Sequence, residues 1–337
     1  MQRLNCQRDR GAVAVVVALL MVAIIGTAAV SVDVANMWSD KRQLQNGADA
    51  AALAIAQECA SGTCGGNPTD TAKEFAVLNK NDRLANAEVE LDTAAGKVRV
   101  VTKADTDHWF APIFGLDSSE VGAAATAAWG PAGSATSALP LTFSVCEIAA
   151  MTDGSFQETP SGSGNWELKY NSTQTTTIYL DHPGSSKDGS DGCTSTSSGA
   201  EIPGGFSWIT DGLDACTAFT AIGYPVPSDT GNPGPGECSA DYLQTLIGHD
   251  VVLPIFGESG GSGSGGSYTI YGYVGFTLEG LFLQTQGNGP IALGDSSGCN
   301  AGNGQCIRGK FTKISDGTGT SSPTAPNTGA SNVRLTD

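Results

Sequence analysis

GAVAVVVALLMVAIIGTAAVSV, from Gly11 to Val32, contains no charged residue, and Asp33 follows it directly. At about 1.5 Å per residue, a helix of this stretch crosses a hydrocarbon core of about 30 Å. It reads as a membrane-spanning helix. A cleavable signal peptide is the competing reading, with an A-x-A-like site near Thr27 to Val30. The apolar region of such a peptide usually runs only about 7 to 15 residues. Arg3, Arg8 and Arg10 precede the span, opposed only by Asp9. The positive-inside rule therefore places the N-terminal stub in the cytoplasm and everything after Asp33 outside, as a single-pass membrane protein.

Outward from the span, Val34 to Glu58 has one glycine, Gly47, no proline, and many Ala, Gln and Leu residues. The helix is expected to continue beyond the membrane. Val34, Met37, Leu44, Ala48, Ala51 and Ile55 recur at steps of three and four, interrupted by Lys41. That is one apolar stripe, which packs either on the chain's own exported domain or on a partner subunit. A helix from Ala12 to Glu58 is about 70 Å long.

The ordered set of residues here resembles a known family. RGAVAVVVALLMVAIIGTAAVSVDVANMWSDKRQLQNGADAAALAIA, Arg10 to Ala56, is similar to the N-terminal domain of Tad/Flp pilus-assembly proteins of the TadE/TadG-like type. The features that carry it are Arg10-Gly11 opening the span, Asp33 at its exit, then Leu44-Gln45, Asp49 and Ala50-Ala51-Ala52-Leu53-Ala54. The resemblance covers about the first sixth of the chain. It implies a structural, non-enzymatic component of Flp-type pilus assembly or of the associated secretion machinery. Its partners would be the lipid bilayer and pilus-assembly or other membrane proteins, with Leu44, Ala48, Ala51, Leu53 and Ile55 as candidate helix-packing contacts. Two family features are missing. Pseudopilin members carry Glu at the fifth position after the processed Gly, where this chain has Val16, so pilin-like processing after Gly11 is not expected. The von Willebrand A domain of TadG-like members needs an Asp-x-Ser-x-Ser loop, and neither Asp153-Gly-Ser155 nor Asp295-Ser-Ser297 continues that way.

Beyond the helix the fold class expected is α+β, with a small α+β domain over residues 59–130, a β-rich disulfide-bonded extracytoplasmic domain over 131–314 and a disordered tail over 315–337. Thr69 to Asn79 reads as a short helix capped by Thr69 or Asp70. Ala87 to Asp92 and Lys97 to Thr102 read as a hairpin turning at Ala95-Gly96, with Val121 to Trp129 as a further strand. The aromatic segment Trp109 to Phe114 is expected to pack on that sheet. Pro131 to Ala138 has linker composition. Short apolar runs at 141–146, 166–170, 177–180, 251–256 and 268–283 suggest an antiparallel β domain, with a flexible loop at Gly260 to Gly266. Ser315 to Asp337 has few apolar residues to bury.

Composition agrees with this class. Charged residues are 15% and aromatics 7% of 337 residues, whereas glycines number 45. The formal charge of −17 disfavours nucleic acid as a partner. Three arginines and one aspartate lie before Asp33, which leaves 14 basic against 33 acidic residues outside, a charge of −19. Cys6 stays inside, and eight cysteines are exported. They allow 105 pairings. Cys59 with Cys64 and Cys299 with Cys306 are close enough in sequence to close small loops, which leaves Cys216 with Cys238 and Cys146 with Cys193. No Cys-x-x-Cys occurs and the three histidines are scattered, so disulfides are expected rather than a metal.

Several motifs invite chemistry. Gly257-Glu258-Ser259-Gly260-Gly261 fits G-x-S-x-G and is similar to the serine-protease GESGG variant, with His108, His182 and His249 as candidate bases. A nucleophile elbow needs a helix after the serine, and a Gly/Ser run follows instead. A tethered serine hydrolase is therefore a remote alternative, and no catalytic residue is assigned. Gly261, Gly263 and Gly266 fit G-x-G-x-x-G but lead into a strand-like run, so no nucleotide or other cofactor is expected. Gly304 to Lys310 approaches a P-loop, with Phe311 where Ser or Thr must bind magnesium. Leu139 to Phe143 is similar to a sortase signal without its final Gly. Asp181 to Gly192 lacks EF-hand spacing, and no metal ligand is assigned. A membrane-tethered adhesin or envelope-binding protein, using residues 131–337, is the alternative to pilus assembly.

Overall fold

The computed structural model describes residues 9–64, 66–161, 163–180, 206–209, 216–227, 234–260, 266–285, 289–299 and 305–336. The chain divides into two compact units, one of residues 1–55, 66–127 and 335–337, the other of residues 56–65 and 128–334. The α+β class expected from the sequence is present, with a long N-terminal helix followed by mostly strands.

The first unit is built on α1 (Asp9–Ala60), a single helix of 52 residues. Packed on its later part is α2 (Pro68–Asn79), which buries Ala72 and Ala76. The two helices approach closely at Gly47, where a Cβ would lie 3.0 Å from the Ala76 Cα. Opposite them stands a sheet of β1 (Asn86–Asp92), β2 (Lys97–Asp107) and β3 (Ser118–Pro131) in that order. The expected hairpin is β1–β2, paired from Asn86↔Lys103 to Asp92↔Lys97. Along β2, Val98, Val100, Thr102, Ala104 and Thr106 alternate inward, as a half-buried strand requires. Leu44, Ala76, Ala85, Ala104, Val121 and Ala123 form the core. It is made almost entirely of small side chains, so helix and sheet backbones lie close together.

Two local expectations in this unit are overturned. The α2 cap is Asn67 rather than Thr69 or Asp70, because Pro68 occupies the first turn, where its missing N–H costs nothing. Asn67 donates through Nδ2 to Asp70 Oδ2 at 2.7 Å. Trp109 to Phe114 does not pack on the sheet. It forms a short 3-10 turn, Ala111–Phe114, with its large side chains exposed.

The second unit centres on an eight-stranded sheet. Its path is β8 (Thr176–Leu180), β15 (Gln305–Thr312), β13 (Ser267–Thr285), β12 (Asp250–Gly260), β5 (Leu141–Ser144) and β9 (Phe206–Trp208). The strands β11 (Pro225–Pro227) and β14 (Gly289–Gly294) also pair with β13. Among the described residues, only β5–β12 is a parallel strand pair in this sheet. Smaller ribbons join β4 (Ser134–Ser137) to β10 (Ala218–Ala221) and β6 (Phe156–Glu158) to β7 (Trp166–Leu168), whereas β16 (Ile314–Asp316) and β17 (Ala330–Leu335) pair in parallel as the last two strands of the sheet that begins with β1. Two short helices, α3 (Val145–Met151) and α4 (Ala240–Leu246), are each N-capped by a serine, Ser144 and Ser239. The core holds Trp208, Tyr273, Phe143, Phe156, Phe256, Phe276 and Phe311, all fully buried. Part of the glycine content is explained here. At Gly309 an added Cβ would run into the Thr277 carbonyl and the Phe276 ring.

Composition misled at two places in this unit. Residues 131–138, expected to be a linker, contain β4, in which Ala135 and Ser137 are buried. The tail expected to be disordered over 315–337 carries β17, with Thr328, Ala330, Ser331 and Asn332 buried. Polar residues are accommodated there by hydrogen bonding rather than by apolar area. Thr328 Oγ1 donates to the Tyr273 carbonyl at 2.7 Å and accepts its N–H at 2.9 Å. Asn332 Nδ2 donates to the carbonyls of Ser134 and Thr320 at 3.1 and 3.0 Å. The expected flexible loop at Gly260 to Gly266 lies mostly outside the described residues.

Candidate functional site

The first feature of α1 is what does not touch it. Its most apolar 18-residue window has a mean hydropathy of 2.9, and none of that window is buried by the rest of the chain. The helix is long and apolar enough to cross a membrane. Its hydroxyls are satisfied on the helix itself, Thr27 Oγ1 donating to the Ile24 carbonyl at 2.9 Å and Ser31 Oγ to that of Thr27 at 2.8 Å. Such bonding leaves no polar side chain seeking water in an apolar medium.

Asp33 ends this stretch and is buried. Its carboxylate accepts the N–H groups of Trp109 at 2.7 Å, Ala111 at 2.8 Å and Phe110 at 3.2 Å. These are the unpaired donors at the start of the Ala111–Phe114 turn, so a helix residue caps a loop 76 positions away. Burial pushes this carboxyl up, but the three backbone donors, with His108 nearby, outweigh it and hold it below the usual carboxylate range. Farther along, the Arg42 guanidinium lies 3.8 Å over the ring of Trp38.

Beyond Asp33 the candidate helix-packing residues are found in the interior. Leu44, Ala48, Ala51 and Ile55 are fully buried by the chain itself, and Leu53 is half-buried. Leu44 packs with Ala76 of α2 and with Ala104, Val121 and Ala123 of the sheet, and the burial of all four leaves them little exposed surface to offer a partner subunit. Polar residues fix the helix in place. Gln45 Nε2 donates to Asp49 Oδ1 at 2.8 Å and to the Ala124 carbonyl at 3.0 Å, and Thr102 Oγ1 donates to the Leu44 carbonyl at 3.0 Å.

A polar cleft of about 660 Å³ lies alongside, lined by Asn36, Asp40, Gln43, Lys73, Lys80 and Asp82 among others. Lys80 is buried there, and its Nζ reaches Asp40 Oδ2 at 2.8 Å and Asp82 Oδ2 at 2.7 Å. Thr106 donates to the same Asp40 oxygen at 2.7 Å. Burial alone would lower the Lys80 pKa, but the two carboxylates raise it above 10.5. For Asp82 burial acts upward, and the bonds from Lys80 and the Leu84 N–H hold it below 3.8. Sequence reading missed this cluster, because a Lys within the polar run Asn79 to Arg83 looks like ordinary surface.

The cysteines form Cys59–Cys64, Cys216–Cys238 and Cys299–Cys306 disulfides. Cys146 is also disulfide-bonded, and Cys193 lies outside the described residues.

The catalytic alternative meets an unfavourable geometry. Ser259 lies on β12 paired with Tyr268, in a strand rather than a strand-to-helix elbow. His249 lies just before the other end of β12, about 30 Å away at strand rise. His108 is engaged with Ser119 at 2.8 Å, and His182 lies outside the described residues. Gln305 to Lys310 of the P-loop-like run is strand β15, so no helix N-terminus faces a phosphate. Gly261, Gly263 and the 181–192 loop lie outside the described residues. Among the described residues no cluster of three His, Cys, Asp or Glu side chains suits a metal.

Residues 11–58 match the family model described as putative Flp pilus-assembly TadE/G-like. No curated protein and no solved structure matches the chain. The matched segment begins two residues after the start of α1 and ends two residues before its end, so it is this helix that the family model recognises. The features that carried the resemblance also have physical roles in the structure: Asp33 caps the aromatic loop, Leu44 sits in the core, the Gln45 amide joins Asp49 to the sheet, and Ala51 and Ala52 are buried. The N-terminal segment of this chain, residues 11–58, is accordingly similar to the Flp pilus-assembly TadE/G-like family.

Proposed function

We propose that this protein is a membrane-anchored structural component of Flp/Tad-type pilus assembly or of the secretion machinery that accompanies it. The observation that carries the reading is the coincidence of the TadE/G-like match with a helix whose apolar window is wholly unburied. A helix so exposed in water would be strongly disfavoured at about 25 cal/mol per Å² of apolar surface, whereas a bilayer removes that cost. Arg3, Arg8 and Arg10 before the span favour a cytoplasmic N-terminus, with both units extracytoplasmic. The disulfides support an oxidising compartment for the region after the span.

The role is one of holding position. Because the stripe of α1 beyond Asp33 is used internally, contacts with assembly partners fall to the span and to the outer surfaces of the two units. The test is gentle crosslinking in the native membrane, followed by purification of the full chain and identification of what accompanies it. Recovery of Flp pilin or Tad-system proteins is the expected result. Recovery of cell-wall polymer or unrelated surface proteins instead would leave the helix as an anchor only and move the function to an adhesin role.

A further inference from the structure

The exposed loop that Asp33 holds carries more apolar surface than a water-facing loop should. From Trp109 to Leu116 the sequence is WFAPIFGL, with no charged or hydrogen-bonding side chain except the indole N–H, and it is bounded by His108 and Asp117. Trp109 is 76% exposed, Ile113 82%, Phe114 80% and Leu116 60%. The loop is well braced despite this exposure. Its base is closed by the His108 N–H donating to the Asp117 carbonyl at 2.9 Å. Its turn is closed by the Gly115 and Leu116 N–H groups on the Pro112 and Ala111 carbonyls at 3.0 and 3.3 Å. Gly115 takes φ +81°, which lets the chain reverse there. A contiguous apolar patch on a rigid support marks an interaction surface rather than an accident of composition.

Its position selects the partner. The carboxylate that accepts three of its N–H groups belongs to the first charged residue after the uncharged stretch. Val13 to Val32 spans about 30 Å of helix, the thickness of a hydrocarbon core, so Asp33 falls at the water boundary. The loop is therefore tied to the level of that boundary and is continuous with the unburied apolar surface of the span. Trp and Phe with Ile and Leu at this depth match the chemistry of the interfacial zone, where amphipathic rings replace water among headgroups and upper acyl chains.

We propose that the Trp109–Leu116 loop is a second membrane contact, inserting into the lipid leaflet at the exit of α1 and fixing the first unit against the bilayer surface. This rests on the membrane-anchor reading above. One helix alone leaves a unit free to tilt and rotate about the helix axis. A second, rigidly connected lipid contact removes much of that freedom and would present the unit to assembly partners in one orientation.

The test uses the full chain in nanodiscs of phosphatidylethanolamine and phosphatidylglycerol, with p-benzoylphenylalanine replacing one residue at a time: Phe114 in the loop, Val22 in the span and Leu84 as control. All three are exposed, so the replacements do not disturb the core. Leu84 lies beside Asp82, which shares Lys80 with Asp40, a residue about two turns beyond Asp33 along α1. After irradiation, lipid adducts at Phe114 are expected to approach the yield at Val22 and to exceed that at Leu84 by roughly tenfold. Lipid adducts at Val22 with none at Phe114 overturn the loop contact and leave the anchor standing. Phe114 crosslinked to protein, while Val22 meets lipid, also overturns it and makes the loop a protein interface. No lipid adduct even at Val22 refutes the anchor reading, and this inference falls with it.

Discussion

The two halves of α1 are both apolar, yet they obey opposite rules. Before Asp33 the exposed side chains are large: Val13, Leu19, Leu20, Met21, Ile24 and Ile25 stand clear of the rest of the chain. After Asp33 the buried positions are mostly alanines, Ala48, Ala51 and Ala52, with Leu44 and Ile55 at intervals. The more hydrophobic half buries nothing within the chain, and the less hydrophobic half is packed on every turn. The difference lies in what each half meets. Acyl chains conform to any side-chain shape, so only apolarity is constrained there. A folded neighbour has fixed shape, so side-chain size is constrained as tightly as polarity.

The sharpest way to break this comparison is to place the same charge in each half. Ala51→Arg puts a cation where there is neither space nor a partner, and it should destabilise the folded region by roughly 4 kcal/mol or more. The expected readout is loss of cooperative thermal unfolding in detergent. An unchanged melting curve would show that the Ala51 face is open. Val22→Arg should leave that melting transition where it was and instead reduce membrane insertion, at a cost of about 3 kcal/mol near the middle of a span. Fractionation between membrane and soluble material checks it.

Next in size is the buried ion cluster, which exists only in the packed half. Asp40→Ala removes one of two carboxylates from Lys80 and the acceptor of Thr106, and should cost about 2 kcal/mol in chemical denaturation. The pH dependence follows from the shifts. Lys80 is raised, so its contribution is complete below the unfolded value of 10.5 and is lost as pH rises through the higher folded value. Asp33 and Asp82 are lowered, so theirs are complete above 3.8 and are lost as pH falls through the folded values. Stability should be level between these limits. Asp82→Asn should make the acid limb shallower, and an identical acid limb would remove Asp82 from the account.

How much of this was legible in sequence depends on which force decided each element. Where periodicity decided, the reading was good: the continuous helix, the hairpin at Ala95-Gly96, and the strands containing 251–256 and 268–283 are all present. Where side-chain hydrogen bonds replaced apolar burial, composition failed. Thr328 and Asn332 bury polar groups on distant carbonyls, and nothing local in the sequence marks those partners. The stripe of Leu44, Ala48, Ala51 and Ile55 was visible as a surface seeking cover, but whether its cover was the chain itself or another subunit required the fold. For Trp109 to Phe114 the error ran the other way. Aromatic content suggested burial, whereas the capping of that loop by Asp33 leaves its rings outward.

The smallest test separates the halves by a single methyl group. Gly26 and Gly47 both interrupt α1, and each lowers helix propensity by about 1 kcal/mol relative to alanine. Around Gly26 nothing lies within 4 Å of an added Cβ. At Gly47 that atom would meet the Ala76 Cα at 3.0 Å and the Phe75 carbonyl at 3.2 Å, both backbone of α2 and unable to rotate away. Gly26→Ala should therefore leave the thermal midpoint unchanged or slightly raised. Gly47→Ala gains the same propensity but must push α2 outward, an overpacking cost of about 1 to 3 kcal/mol, for a net loss near 1 kcal/mol. Ala76→Gly, combined with Gly47→Ala, removes a side chain from the facing helix but not the backbone atoms that clash, so it should not rescue the loss. A rescue would mean that side-chain volume, and not backbone approach, sets the spacing of α1 and α2.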